Sequence, residues 1–117
     1  MIEHEGIDIL FMDFSELSTE GVIALLEEAK GVIHSSPPKS LKVLTDVSNA
    51  RYDKITADAF AAFSKSNNPF IAHSAVIGMT GMKRVLFNFV MRSTGRKVHL
   101  HRSRKRALNW LKSQEIG

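Results

Sequence analysis

The stretch "VIGMTGMKRVLFNFVMR", Val76 to Arg92, holds the residues most suggestive of chemistry. An apolar run ends at Gly78, a second glycine follows at Gly81, and Lys83 and Arg84 open a helical pattern. A strand that feeds a helix through glycines offers free backbone N–H groups to an anion, and two cations add to the attraction. A phosphate-binding loop, however, needs four residues between its first glycine and a Gly-Lys-Ser/Thr triplet. The run Gly78-Met79-Thr80-Gly81-Met82-Lys83-Arg84 has a different spacing and no hydroxyl after the lysine to hold Mg²⁺. The dinucleotide fingerprint also fails, because it requires three glycines after a first strand. Two readings stay open: an anion-binding turn using Thr80, Gly81, Lys83 and Arg84, or a turn that is purely structural.

Other reactive side chains converge less. Asp46 and Ser48 fall at a predicted strand exit, with Asp53 and Asp58 close behind. Paired carboxylates do acid/base work only where a cleft separates their pKa values, and loop and helix-capping acids have the same appearance in sequence. His99 and His101 are two apart on a predicted strand and so share one face. That spacing suits a metal ion, but no third ligand lies nearby, and His4, His34 and His73 are scattered. No nucleophile-elbow motif accompanies the serines. Neither a catalytic set nor a metal or cofactor site is expected, and the chain reads as a non-enzyme.

The basic run Arg102-Ser103-Arg104-Lys105-Arg106 resists a bland reading. Three cations fall in the predicted first turn of a helix, where the dipole disfavours positive charge. Arg104 and Lys105 are therefore candidates for an anionic ligand, an acidic protein or a membrane surface, with a solvated charge run as the alternative. Nucleic acid is disfavoured, since Trp110 is the sole nearby aromatic and no reader motif is present.

Composition sets the frame. At 117 residues, 44% hydrophobic and 24% charged, the chain fits one folded domain spanning 1–117. No apolar run approaches the ~20 residues of a membrane span. The N-terminus MIEHEGIDILFMDF carries acids where a leader peptide carries cations, and cysteine is absent, so a cytoplasmic location is expected. Charge is divided: residues 1–60 balance at −6 and residues 61–117 at +10, with Glu115 the lone acid of the second half. Such a molecule either presents a cationic end or interleaves its halves.

Periodicity predicts the elements that carry these residues. Ile7 to Phe14 reads as a strand, Ser18 or Thr19 as a cap, and Val22, Leu25, Leu26, Ala29 and Ile33 as the buried stripe of a helix. HSSPPKS is a loop. Leu41 to Val47 is a second strand, Thr56 to Ser66 a second helix, and Ala72 to Gly78 a third strand. A helix from about Met82 to Ser93 follows, then Gly95 as its stop, a short strand from Val98 to His101, and a helix capped by Ser103 and running through Leu111. Met82, Val85, Leu86 and Phe89 form one face of the Met82–Ser93 helix. Phe87, Val90 and Met91 extend its apolar surface to the other side, a candidate interaction surface if no neighbouring helix covers it. Strands alternating with helices through short connections predict an α/β fold with four to five strands in a mainly parallel sheet.

The segments "LKVLTDVSNARYDKITADAF" and "AVIGMTGMKRVLFNFVMRSTGRKVHLHRSRKRALNWL" together resemble the STAS family of sulfate-transporter and anti-sigma-factor-antagonist domains. The likeness is to a small bacterial STAS-like group related in fold to CRAL-TRIO lipid-binding domains. It covers roughly residues 41–111: an apolar strand ending in Asp-x-Ser, a loop into a helix, then strand, glycine turn, helix, short strand and a last helix with Ala-Leu-x-x-Leu. The resemblance implies a regulatory or protein-interaction module with a protein partner or a second copy, or else a carrier of a small anionic or lipid-like ligand. Members that act as phosphorylation switches have an Asp-Ser-Ser-Gly motif at the helix start, where this chain has Lys54, Ile55, Thr56 and Ala57. Thr56 alone retains a hydroxyl, as a possible phospho-switch, and a Thr helix cap is the simpler reading.

Overall fold

The computed structural model describes residues 1–51, 53–79 and 98–115. Strands β1 (Ile2–His4) and β2 (Ile7–Asp13) form an antiparallel pair. Their two-residue turn has positive φ at both Glu5 and Gly6, the twist that suits a tight hairpin. Helix α1 (Thr19–His34) starts at Ser18, whose hydroxyl accepts from Gly21 N at 3.3 Å. It buries Val22, Leu26, Ala29 and Ile33 at helical spacing and stops before the paired prolines.

Strand β3 (Leu41–Asp46) pairs parallel to β2, and β4 (Ile71–Ile77) pairs parallel to β3. Between them runs α2 (Lys54–Asn67), followed by a 3-10 turn at Asn68–Phe70. The short strand β5 (His99–His101) lies parallel to β4, and α3 (Arg104–Ser113) follows with Ser103 as its cap. Strand order in the sheet is β1-β2-β3-β4-β5. The architecture is thus a small α/β domain with a five-stranded, mostly parallel sheet.

Two differences from the sequence reading stand out. The sheet gains an antiparallel edge strand, β1, before the predicted first strand. Helix α2 begins at Lys54, two residues earlier than predicted, because Asp53 rather than Thr56 is its cap. The predicted helix Met82–Ser93 and its stop at Gly95 lie outside the described residues.

Successive strands are also spatial neighbours, so right-handed crossovers place α1 and α2 on the same face. There they cover Leu10, Met12, Phe14, Val43, Val47 and Val76. Helix α3 closes the opposite face over Ile9, Leu44, Ala75 and Ile77, using Ala107, Leu108 and Leu111. Strand β3 is buried on both sides from Leu41 to Thr45, as a central parallel strand must be. Its one cation, Lys42, is buried too; the ammonium donates to Gln114 O at 2.6 Å, just beyond α3. His73, its register neighbour on β4, contacts Glu115 O through Nε2 at 2.8 Å. These two side chains tie the exit of α3 to the sheet.

Candidate functional site

The carboxyl ends of parallel strands are where open α/β sheets usually place their function. Here the exits of β2, β3 and β4 are fastened to one another. Phe14 N donates to Asp46 O at 2.8 Å, Glu16 N to Ser48 O at 3.0 Å, Val47 N to Ile77 O at 3.0 Å and Arg51 N to Leu17 O at 2.9 Å. The Asn49 side-chain amide adds a bond to Glu16 Oε1 at 2.9 Å. Glu16 and Asn49 both adopt positive φ, which lets each exit turn back toward its neighbour.

The carboxylates at this edge are employed locally. Asp13 accepts from Ser15 N at 3.0 Å, and Asp46 from Ser48 N at 2.9 Å, so each closes its own turn. Asp53 takes the first-turn N–H of Thr56 at 2.9 Å, the Thr19 hydroxyl at 2.8 Å and Arg51 Nε at 3.4 Å. Because Thr19 opens α1, Asp53 joins the starts of two helices. The Thr56 amide, then the Thr19 hydroxyl, hold its carboxyl down at about 2. It therefore stays ionised at neutral pH and is unsuited to proton donation. Asp58 makes an exposed i,i+4 pair with Lys54 at 3.4 Å. The acids that the sequence groups as candidate acid/base partners, Asp46, Asp53 and Asp58, are thus parted into a turn, a cap and a surface pair.

Thr56 is fully buried. Its hydroxyl accepts from Asp53 N at 2.8 Å and lies 3.1 Å from Asp53 O, completing a reciprocal capping box. A phosphoryl donor reaches that oxygen only when the first turn of α2 opens. Beside it, Ile55 is 64% exposed, an isolated large apolar side chain on the outer side of the turn. On the strand exits and the start of α2, Glu16, Asn49, Arg51 and Lys54 are exposed, and Leu17 and Met79 are half-buried. Thr80, Gly81, Lys83 and Arg84 of the predicted anion turn lie outside the described residues, as do Phe87, Val90 and Met91. Gly78 is described, and it has a structural duty: φ is +85°, and Ser48 packs directly against its Cα hydrogens.

A second cluster forms on the α3 face at the β5 edge. His99 stacks on Trp110 with ring centroids 4.1 Å apart and planes at 29°. His101 lies 5.5 Å from the same ring, and His73 meets it edge-on at 6.0 Å. The parallel register of β4 and β5 brings these histidines together, which their scatter in sequence conceals. His101 Nε2 is buried without a hydrogen-bond partner among the described residues. Burial, then the neighbouring His99 and Arg106, push its pKa below the usual histidine value. The unfolded chain therefore binds a proton here more readily than the folded one, and stability present above pH ~6.5 is lost as the pH falls through the folded-state pKa. Thermal melts should show Tm falling between pH 7.5 and 5.5, and His101→Gln should flatten that fall; an equal slope in the variant would exclude His101 as its source.

Arg104, one of the predicted anion ligands, sits with its guanidinium 4.4 Å from the Phe11 ring centroid. Lys105 is exposed. A groove of about 270 Å³ between α1 and α2 is lined by Leu26, Glu27, Lys30, Ala59, Phe63 and Ser66, among others. Among the described residues, no group of three or more His, Asp or Glu is placed to hold a metal ion, and no helix is long and apolar enough to cross a membrane. Comparison of the chain with protein-family models, curated proteins and solved structures finds no match.

Proposed function

We propose that this chain is a non-enzymatic regulatory or protein-interaction module of the STAS-like type, working in the bacterial cytoplasm. Its docking surface is the carboxyl edge of the sheet, and its partner is another protein or a second copy of the chain. One observation carries the reading: three strand exits are cross-bonded into a preformed edge, and the exposed Ile55 follows the β3 exit in the first turn of α2. A surface fixed before binding loses little conformational entropy on docking, which suits recognition. The carboxylates beneath it are committed to turns and caps, which favours docking over acid/base chemistry.

A photocrosslinking amino acid at position 55 tests this, with position 32 as the control because Val32 is also an exposed apolar residue, on α1. Crosslinking in cells should give one discrete adduct from position 55 and none from position 32. Adding Asn49→Arg, which also removes the amide bond to Glu16, should abolish it, with circular dichroism checking that the fold is kept. Equal yields from the two positions, or no adduct at all, would refute docking at this edge.

The carrier reading draws on the cations at the start of α3, Arg104 and Lys105 among them, as contacts for a small anionic or lipid-like ligand. Native mass spectrometry of protein purified from its own host would reveal such a ligand as an added, dissociable mass.

A further inference from the structure

No Asp or Glu occurs between Asp58 and Glu115. Strands β4 and β5 and helix α3 therefore contain no acid of their own, and their cations go largely unmatched. The ion pairs among the described residues lie at the β1–β2 turn and the start of α2. Only Lys112, which bonds Glu5, draws one of them to α3. Arg102, Lys105 and Arg106 are exposed and have no acid partner among the described residues.

Next to this charge stands the ring stack. Trp110 is gripped by three imidazoles, and the one stacked on it, His99, is exposed on the outermost strand. A stack that ends in an exposed flat ring can be lengthened by another. Arg102 follows His99 by three residues, in the bend just after β5. A ring docked on His99 and an anion held by Arg102 can thus belong to one short segment of a ligand.

We propose that the β5–α3 edge binds single-stranded nucleic acid, with a base extending the His99–Trp110 stack and neighbouring phosphates held by Arg102, Lys105 and Arg106. Sequence alone offers Trp110 as an isolated aromatic; the structure adds His99 as a platform beside it. The base must be unpaired to stack in this way, which selects a single strand over a duplex. An anionic bilayer fits less well, because the exposed large apolar side chains among the described residues are Met1, Val32 and Ile55, none of them on β5 or α3. An acidic protein would use the charge and leave the stack idle.

Trp110 is the only tryptophan, so its fluorescence reports on the stack. The experiment titrates the full chain with a 12-nucleotide oligouridylate and measures affinity by the anisotropy of a labelled oligonucleotide at several salt concentrations. Binding should quench Trp110, and three phosphate contacts give a log–log salt slope of about −2. Lys105→Glu with Arg106→Glu should weaken binding at least tenfold and flatten the slope. His99→Ala should weaken it about tenfold with the slope unchanged. All three positions are exposed, and circular dichroism checks that the fold survives. The proposal is overturned by absent binding, by a His99→Ala variant of unchanged affinity, by inorganic polyphosphate that binds and quenches equally well, or by phosphatidylserine vesicles that bind where the oligonucleotide does not. Asn49→Arg, on the carboxyl edge, should leave oligonucleotide binding intact, so this inference and the proposed docking function fail separately.

Discussion

Gly78→Ala should destabilise the protein by about 3–5 kcal/mol, lowering Tm by more than roughly 10 °C. Two effects combine. The backbone holds φ at +85°, a conformation that side-chain-bearing residues rarely adopt. A methyl group there would also lie 2.5 Å from Ser48 N and 2.7 Å from Ser48 Cα, and still closer to the hydroxyl. Gly6 separates the two effects, since it has φ +89° but nothing within 4 Å of the place a methyl group would take. Gly6→Ala should therefore cost only about 1–2 kcal/mol, the conformational part alone. Ser48→Gly should not rescue Gly78→Ala, because the backbone atoms of residue 48 remain in the way. Urea denaturation of the two alanine variants gives the comparison. Equal losses would show that the exit loops yield easily, contrary to an interlocked edge.

Phe14→Ala should cost about 3–5 kcal/mol as well, through a cavity. Phe14 is fully buried at the end of β2, and its ring meets Phe60 of α2 edge-on at 5.1 Å. Its amide holds Asp46 O, so the residue both fills the core and starts the cross-bonded edge. Phe14→Leu keeps much of the volume and should cost about 1–2 kcal/mol. A double-mutant cycle with Phe60→Ala should show a coupling of about 0.5–1.5 kcal/mol. Hydrogen exchange offers a local readout. In Phe14→Ala the amides of Glu16 and Arg51 should exchange faster than global unfolding explains, while those of α3 should follow the global rate. Uniform acceleration would mean that the edge has no local stability to lose.

The elements legible in the sequence are those whose signals are local. Ser18 and Ser103 precede periodic apolar runs and are caps in the structure, and the second, third and last predicted strands lie within a residue or two of β3, β4 and β5. What escapes a sequence reading depends on distant partners. Asp53 and Thr56 can each cap a helix from their sequence context. In the structure Asp53 is the cap, and Thr19, 34 residues away, donates to it as well. Strand β1 is three residues long, too short for alternation to register, and exists through its pairing with β2. Lys42 looks like an ordinary strand cation until α3 covers it and Gln114 O meets the ammonium. His73 joins His99 and His101 only through the β4–β5 register. Gly78 is visible in sequence as a turn glycine, but its need to be glycine comes from Ser48, thirty residues earlier.

The order of strands in the sheet, which is also their order along the chain, bears on how the molecule is made. A sheet of this kind can lengthen one strand at a time as the nascent chain leaves the ribosome, each new strand docking on the one just completed. Helices α1 and α2 arrive between strands and cover their face as it grows. Among the described residues, the opposite face is closed later. The buried side chains packed on Ile9, Leu44, Ala75 and Ile77 come from α3, which follows all five strands. The folding intermediate most in need of a chaperone is therefore a late one, complete in its sheet and open on a single side.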